Sequence, residues 1–553
     1  MSDPTLTVEA RIPDALQPAV VEKLARATDE DVAGRVARED ATLWGGSGSP
    51  PAPPEIADRL GWLTIAERML GELDDLEAFA DAVAAEGLRD VVLLGMGGSS
   101  LAPEVFRRCF GHHPDRPRLH VLDSTDAATI RAVKDTVELE RTLFLVSSKS
   151  GGTIEPLSLF AHFWSLVEEG SNFAAITDPG SSLEKLAKEH GFRKVFAGEE
   201  NIGGRYSALS PFGIVPAALI GVDVRSLLEG AKAAWQTAIG GNDAEADTLP
   251  AGVSLGAMFS ALAQAGRDKL TFVISESLPG LGLWLEQLVA ESTGKHGTGI
   301  LPVAEEPLGE PSVYGDDRVF AYLPDPLTPE LGVDSRMQAL ARAGHPVITI
   351  PTEGPADLGR VFLLAELAVA VAGWGLQINP FDQPNVQQAK DATNRVLAEY
   401  EQTRALPEVA DADSVTLSAL LGDASPPDYV AIMGYVQPSA GFDAAAAELR
   451  VAIRKVTKAT TTFGYGPRFL HSTGQFHKGG PKTGRFLQLL HDGPEDVEIP
   501  GKPFTFTTLK NAQAIGDLDT LRALERPSAR VRLRGDDPAR ALRALTAKIK
   551  ETL

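Results

Sequence analysis

Two short turns concentrate glycines and hydroxyls just ahead of helical patterns. GMGGSS spans residues 95–100 and SSKSGGT spans 147–153. In the first, Gly95, Gly97 and Gly98 let the backbone come close to a ligand, and Ser99 and Ser100 lead into a helix. In the second, Ser148, Ser150 and Thr153 supply hydroxyls, Lys149 supplies charge, and Gly151 and Gly152 supply a pliable chain. A helix start presents unpaired N–H groups and the positive end of its dipole, both of which favour an anion. Hydroxyls spaced around such a start suit the three oxygens of one phosphate. Glu155 falls in the first helical turn, where the dipole favours a carboxylate. The second turn is not a P-loop, because GxxxxGK[ST] is absent and no lysine follows the glycines. The first nearly matches a dinucleotide fingerprint: Ser100 occupies the last glycine place, and Asp123 ends the next strand, where a ribose-binding acid would stand. An NAD-dependent dehydrogenase is therefore a rival reading. A Ser-Lys-Ser loop two strands later argues against it.

These turns need a scaffold. At 553 residues the chain is too long for one core, and about 150 residues per domain suggests three or four domains. From Asp90, short apolar runs alternate with helical patterns: 90–95, 119–122, 143–148 and 173–177. The rhythm resumes at 270–275, 300–303, 319–323 and 346–350, followed by a long helix over about 357–373. Strands apolar on both faces, alternating with helices, predict parallel doubly wound sheets. A third segment follows a loop at about 402–427, with strands at 429–436, 485–492 and 530–536 and a helix over 443–457. The expected fold class is α/β: two doubly wound parallel-sheet domains plus a smaller C-terminal α/β domain. Residues 1–43 read as amphipathic helices, and Trp44 to Glu55 as a Gly/Ser/Pro connector. The expected boundaries are 1–70 for an N-terminal helical segment and linker, 71–245, 246–401 and 402–553.

Composition narrows the partners. The formal charge of −23 repels polyphosphate chains, so nucleic acid is not expected. The longest apolar runs, such as Val361 to Val371, contain a glutamate and are read as too short to cross a bilayer, so no membrane association is expected. The N-terminus shows no basic head followed by an apolar stretch, hence no export signal. Cys109 is the single cysteine, which excludes an intramolecular disulfide and fits a cytoplasmic setting; it reads as a small buried helical residue. HExxH, CxxC and a histidine pair at i, i+4 are all absent, and His112 and His113 are adjacent and would point apart. Neither a metal nor any other cofactor is expected.

GMGGSS, SSKSGGT and GGRYSALSPFG (203–213), in this order and spacing, resemble the signature segments of sugar isomerase domains, specifically those of glucose-6-phosphate isomerases. The resemblance implies a sugar phosphate as ligand and a carbonyl moved between C1 and C2 through a cis-enediol. It places the phosphate on Ser99, Ser148, Ser150 and Thr153, with Lys149 beside it and the backbone of Gly97, Gly98 and Gly204 nearby. Such a reaction needs a base to shuttle a proton between carbons, a cation for the enediolate oxygen and a means of opening the ring. AESTGK (290–295) resembles the family's base segment, which makes Glu291 the candidate shuttle at the end of a helix over 281–290. Arg205 follows two glycines, cannot lose its proton, and is the candidate cation. NPFDQPNVQQAKDATN (379–394) resembles the segment whose lysine contacts the ring oxygen, here Lys390.

The ring-opening histidine departs from the family pattern. In most members a Leu-His-Ser-x-Gly-Gln segment lies between the base and the lysine. Here that interval has no histidine, and RFLHSTGQFHKGG appears later, at 468–480. This resembles isomerases fused behind a transaldolase, and FTFTTLKNAQAIGDLDTLRAL (504–524) resembles their ending. His471 is then the candidate, with His477 and His296 as rivals; an imidazole exchanges protons near neutral pH. About 90 residues precede the first glycine turn, far fewer than the roughly 250 of a (β/α)₈ barrel, so no transaldolase activity is expected. Many family members share the histidine across a homodimer, whereas a relocated His471 would complete the site within one chain. Two alternatives stay open: an isomerase that also takes mannose 6-phosphate, and a non-catalytic sugar-phosphate sensor.

Overall fold

Among the described residues the chain forms fourteen strands in three sheets. The computed structural model describes residues 8–45, 54–238 and 249–552. The strands are β1 (Glu9–Arg11), β2 (Asp90–Leu94), β3 (Arg118–Leu122), β4 (Thr142–Ser147), β5 (Phe173–Thr177), β6 (Lys194–Ala197), β7 (Lys269–Ile274), β8 (Leu301–Val303), β9 (Arg318–Leu323), β10 (Val347–Thr349), β11 (Tyr429–Tyr435), β12 (Thr460–Tyr465), β13 (Gly484–Leu490) and β14 (Ser528–Arg532). The first sheet runs β3-β2-β4-β5-β6, the second β1-β10-β9-β7-β8 and the third β12-β11-β13-β14. All pairings are parallel except β1 against β10. Central strands such as β2 and β11 are buried along their whole length, as continuous Val/Ile/Leu runs between two helical layers require. The α/β class with parallel sheets holds.

In the first sheet β2 lies between β3 and β4, with Leu94 opposite both Leu122 and Val146. The chain leaves β2 for β3 on one side and returns to β4 on the other. This reversal opens a crevice beyond the carboxyl ends of β2 and β4, where open α/β sheets take their ligands. Both hydroxyl-bearing turns sit there.

The amino-terminal residues depart from their helical reading only at the start, ahead of helices Gln17–Asp29 and Val32–Ala37. Glu9–Arg11 adds an edge strand to the second sheet, with Ala10 opposite Ile348. A three-residue exposed strand carries too little alternation to be read from sequence. Helix Gln17–Asp29 follows, and Lys23 reaches Gln264 and the Gly375 carbonyl. Position 70 falls inside helix Ile65–Ala85, position 401 inside helix Val386–Thr403, and 245 outside the described residues. Most of the Trp44–Glu55 connector also lies outside them.

Helix Leu358–Leu376 extends the expected long helix. With the turn before it, Gly354–Leu376 is long and apolar enough to cross a bilayer by length and composition, which corrects the reading of that run as too short. In the fold 83% of its most apolar window is buried, packed against helices Val224–Ala238 and Ala251–Gln264. The expected loop at 402–427 contains helix Ser414–Gly422, capped by the Asp413 carboxylate on the Thr416 N–H. Strands β6 and β12 were not expected: β6 is a partly exposed edge, and β12 is the threonine-rich TTTFGY.

Helices Val386–Thr403 and Phe506–Ala523 pack together against the first sheet's layer through Val396, Leu397, Leu509, Ala512 and Ile515. A Cβ on Gly516 would stand 2.7 Å from the Thr393 nitrogen, so glycine lets these helices touch backbone to backbone. Cys109 lies half-buried in helix Leu101–Phe110, and burial pushes its thiol up to about 12.

Candidate active site

The glycine turns serve protein contacts more than ligand approach. A Cβ on Gly98 would lie 2.1 Å from the Gly204 carbonyl oxygen, and one on Gly97 2.9 Å from the His471 carbonyl oxygen. Gly97 also has φ +54°. The turn after β2 therefore lies flush against the loop of Arg205 on one side and the segment of His471 on the other. Nothing lies within 4 Å of a Cβ on Gly152 or Gly204, so these two face open space.

In the turn after β4, Ser148 is buried and donates from Oγ to Thr153 Oγ1 at 3.3 Å. Ser150 is exposed, and Thr153 is the N-cap of helix Ile154–Val167. Ser99 closes the short 3₁₀ turn Gly97–Ser99 after β2. Lys149 lies in the same turn. Its Nζ bonds Asp178 Oδ1 and Oδ2 at 2.8 and 2.6 Å and the Glu199 carbonyl at 2.6 Å. Burial lowers this ammonium and Asp178 works against that. The ammonium expected beside the phosphate is thus held in an ion pair with Asp178.

Glu291 lies in the last turn of helix Leu281–Thr293, three residues longer than expected. Its Oε1 is 3.4 Å from Arg205 Nη1, and its Oε2 accepts from Gln287 Nε2 at 3.1 Å. Gln287 donates also to the His471 carbonyl at 2.8 Å. One amide thus joins base candidate and histidine segment.

Arg205 is buried and makes four further bonds. Nε donates to Ser292 Oγ at 2.8 Å, Nη1 to Gln383 Oε1 at 3.0 Å, and Nη2 to the Pro380 and Asp382 carbonyls at 2.6 and 2.9 Å. Lys295, also buried, clamps the same loop through the Asn379 carbonyl at 2.8 Å and Asp382 Oδ1 at 2.6 Å. Burial and then Arg205 push the Lys295 ammonium down to about 8. The loop 379–383 leads into helix Val386–Thr403, so these two cations set the position of Lys390.

His471 closes a short 3₁₀ turn, Arg468–His471. Arg468 grips Asp123 with Nε and Nη2 at 2.7 Å each, and Ser100 Oγ donates to the same carboxylate at 3.1 Å. The acid that invited a dinucleotide reading is thus consumed in holding the histidine segment. Gln475 extends the grip: its Nε2 donates to Gly294 O and Asn385 Oδ1, each at 2.9 Å, and its Oε1 accepts from Asn385 N at 2.9 Å. A Cβ on Gly294 would meet Phe476 Cα at 2.4 Å. The base, lysine and histidine segments interlock through these contacts.

His471 Nε2 lies 2.9 Å from Glu155 Oε1. Glu155 is fully buried. Burial alone would raise its carboxyl, yet the charge and hydrogen bond of His471, with Lys390 beyond, hold it below the usual carboxylate range. A cavity of about 130 Å³ is lined by Gly152, Thr153, Glu155, Lys390, His471 and Gln513. Lys390 enters it from an exposed position. The rival histidines lie elsewhere. His296 sits on an exposed turn with φ +55°. His477 is buried with Nδ1 on Tyr429 Oη at 3.1 Å, and burial drives its imidazole well below its usual value.

A larger cavity of about 450 Å³ lies on the far side of the 468–473 segment. Arginines on its wall are already paired, Arg107 and Arg108 with Glu104 and Arg468 with Asp123. Sequence reasoning placed Glu155 only as a helix-dipole residue and passed over Gln287 and Lys295. The i, i+4 spacing of Gln287 and Glu291 was the available signal for one of them.

A family model described as phosphoglucose isomerase matches residues 74–309. A glucose-6-phosphate isomerase of Rubrobacter xylanophilus is 32% identical over 372 residues, covering 57% of this chain and 84% of that protein. One from Nostoc punctiforme is 28% identical over 389 residues, covering 60% and 72%. A crystal structure of a glucose-6-phosphate isomerase from Chlamydia trachomatis shares the fold, with TM-score 0.56 at 20% identity over 70% of this chain and 86% of that one.

Proposed function

The chain belongs to the phosphoglucose isomerase family and is an aldose–ketose isomerase of glucose 6-phosphate and fructose 6-phosphate; from that premise we propose how its residues divide the work. The phosphate is taken by Ser99, Ser148, Ser150, Thr153 and the N–H groups at the start of helix Ile154–Val167, in the crevice between β2 and β4. Lys149 contributes backbone there, since its ammonium is paired.

His471 opens the ring. An ionised Glu155 can only accept, so the ring N–H sits on Nε2, and Nδ1 is the nitrogen left to exchange a proton with a sugar oxygen. Lys390, on the same cavity, offers its ammonium to the ring oxygen. Once the chain is open, Glu291 carries the proton between C2 and C1. Arg205 beside it opposes the negative charge that develops on the enediolate oxygen. Because the guanidinium is already bonded to the 379–383 loop, it acts as a fixed charge that needs no rearrangement during the reaction.

One observation carries this division. His471, Glu155 and Lys390, from three separated stretches, share one cavity with the Thr153 turn, and Gln287 ties that histidine segment to Glu291. All belong to one chain, which supports a site complete in a single copy. The proposed ligand is a free sugar phosphate, with neither nucleic acid nor membrane as partner, and the proposed compartment is the cytoplasm. A coupled assay with fructose 6-phosphate, and in parallel mannose 6-phosphate, tests the reading. Turnover with proton exchange into solvent is expected; tight binding of fructose 6-phosphate without exchange would instead mark a sensor.

A further inference from the structure

The His471–Glu155 contact continues inward. Glu155 Oε1, which faces the histidine, also accepts from Gln513 Nε2 at 2.7 Å. Gln513 Oε1 in turn accepts from Thr125 Oγ1 at 2.7 Å. Gln513 is buried on helix Phe506–Ala523, and Thr125 is buried in the loop after β3. Four segments far apart in sequence thus form one line: Thr125, Gln513, Glu155, His471.

The direction of each bond is fixed by elimination. A carboxylate has no proton to give, so the amide must turn its NH₂ towards Glu155 and its carbonyl towards Thr125. The threonine hydroxyl must then donate. Flipping the amide would set a carbonyl against a carboxylate and leave a buried donor facing away from it. The threonine therefore locks the amide, the amide locks the carboxylate, and the carboxylate fixes the imidazole tautomer.

We propose that Gln513, oriented by Thr125, is a positioning residue for the isomerisation: it holds the Glu155 carboxylate at the angle that receives the His471 Nε2–H and so presents Nδ1 to the sugar. The proposal rests on His471 as the ring-opening group. Outer partners of this kind typically change activity by about 10- to 100-fold.

The test is a double-mutant cycle on fructose 6-phosphate turnover, with Tm recorded for every variant. Gln513→Met should lower kcat about 10- to 100-fold with KM within about twofold. In a His471→Ala background the same change should cost less than about twofold, because there is no imidazole left to orient. Thr125→Ser should keep kcat near that of the wild type, and Thr125→Val should lower it in the same direction as Gln513→Met. Equal losses from Gln513→Met in both backgrounds would overturn the proposal, since a merely structural defect multiplies through. Should Gln513→Met fail to fold, Thr125→Val and Thr125→Ser carry the same cycle, and equal kcat in those two would overturn it. Undiminished turnover in His471→Ala alone would remove the underlying reading, and this outcome is distinct from additive losses on an impaired His471→Ala.

Discussion

Glu291 Oε1 and Arg205 Nη1 stand 3.4 Å apart, the carboxylate in the last turn of one helix and the guanidinium on a loop of the neighbouring sheet's unit. Both side chains are nearly closed to solvent, at 13% and 2% exposure, so their interaction is weakly screened. A carboxylate beside a fixed cation is the arrangement that the proposed enediolate chemistry requires.

Glu291→Gln is isosteric and keeps a hydrogen-bonding group near Gln287, so the fold should survive. Turnover should fall about 10²- to 10⁴-fold, the range of a lost general base. Loss of deuterium exchange from C2 into water, followed by NMR at unchanged Tm, checks it. Near-normal exchange would remove the base assignment.

His471→Ala should slow the cyclic sugar about 10²-fold or more, and an open-chain analogue much less, because only the ring-opening step loses the imidazole that exchanges a proton with the sugar. Glu155→Gln should shift rates the same way, since an amide can meet the Nε2 position with its own donor and release the tautomer. Comparing kcat on the two substrates makes the check; equal losses on both would count against a ring-opening role.

Two glycine substitutions should behave oppositely. In Gly98→Ala the new methyl would meet the Gly204 carbonyl at 2.1 Å, and the Arg205 loop must yield. A cost of about 1–3 kcal/mol is expected, read as a lower urea midpoint. In Gly152→Ala the methyl enters open space, so Tm should stay and KM for fructose 6-phosphate should rise. A stable Gly98→Ala or an unstable Gly152→Ala would contradict the packing described.

The pH dependence of stability should carry the mark of Glu286. Burial, and then Glu305, push its carboxyl up to about 8. The unfolded chain releases this proton near pH 4.5 and the folded chain keeps it to about 8. Stability is therefore fully present below about 4.5 and declines as pH rises from there to about 8, by something on the order of 2–5 kcal/mol. Glu286→Gln, neutral throughout, should raise Tm more at pH 8.5 than at pH 4. Calorimetry at the two pH values decides; an equal shift at both would show that the carboxyl is not buried neutral.

Much of the scaffold was legible in the sequence because buried parallel strands are apolar on both faces. DVVLL, TLFLVS, FAAIT and YVAIMGY announce themselves whatever surrounds them. Edge strands do not: Glu9–Arg11 is paired only by virtue of β10, and Lys194–Ala197 is partly exposed, so neither shows a period. The same reasoning explains the missed helix Ser414–Gly422, whose serines, threonine and valine favour helix weakly until Asp413 caps it.

By itself, the sequence determined which residue types are present for the chemistry, the alternation that makes an α/β fold, and the motifs that align this chain with its family. The tertiary structure alone decided their use. It set His471 against Glu155 and His477 against Tyr429, left His296 on an exposed turn, turned the Lys149 ammonium onto Asp178, spent Asp123 on Arg468, and made Glu155 the partner of a histidine 316 positions away. The reason is physical: strand and helix patterns depend on neighbours a few residues apart, whereas the pairing of buried polar groups depends on which distant donors the packing brings within about 3 Å.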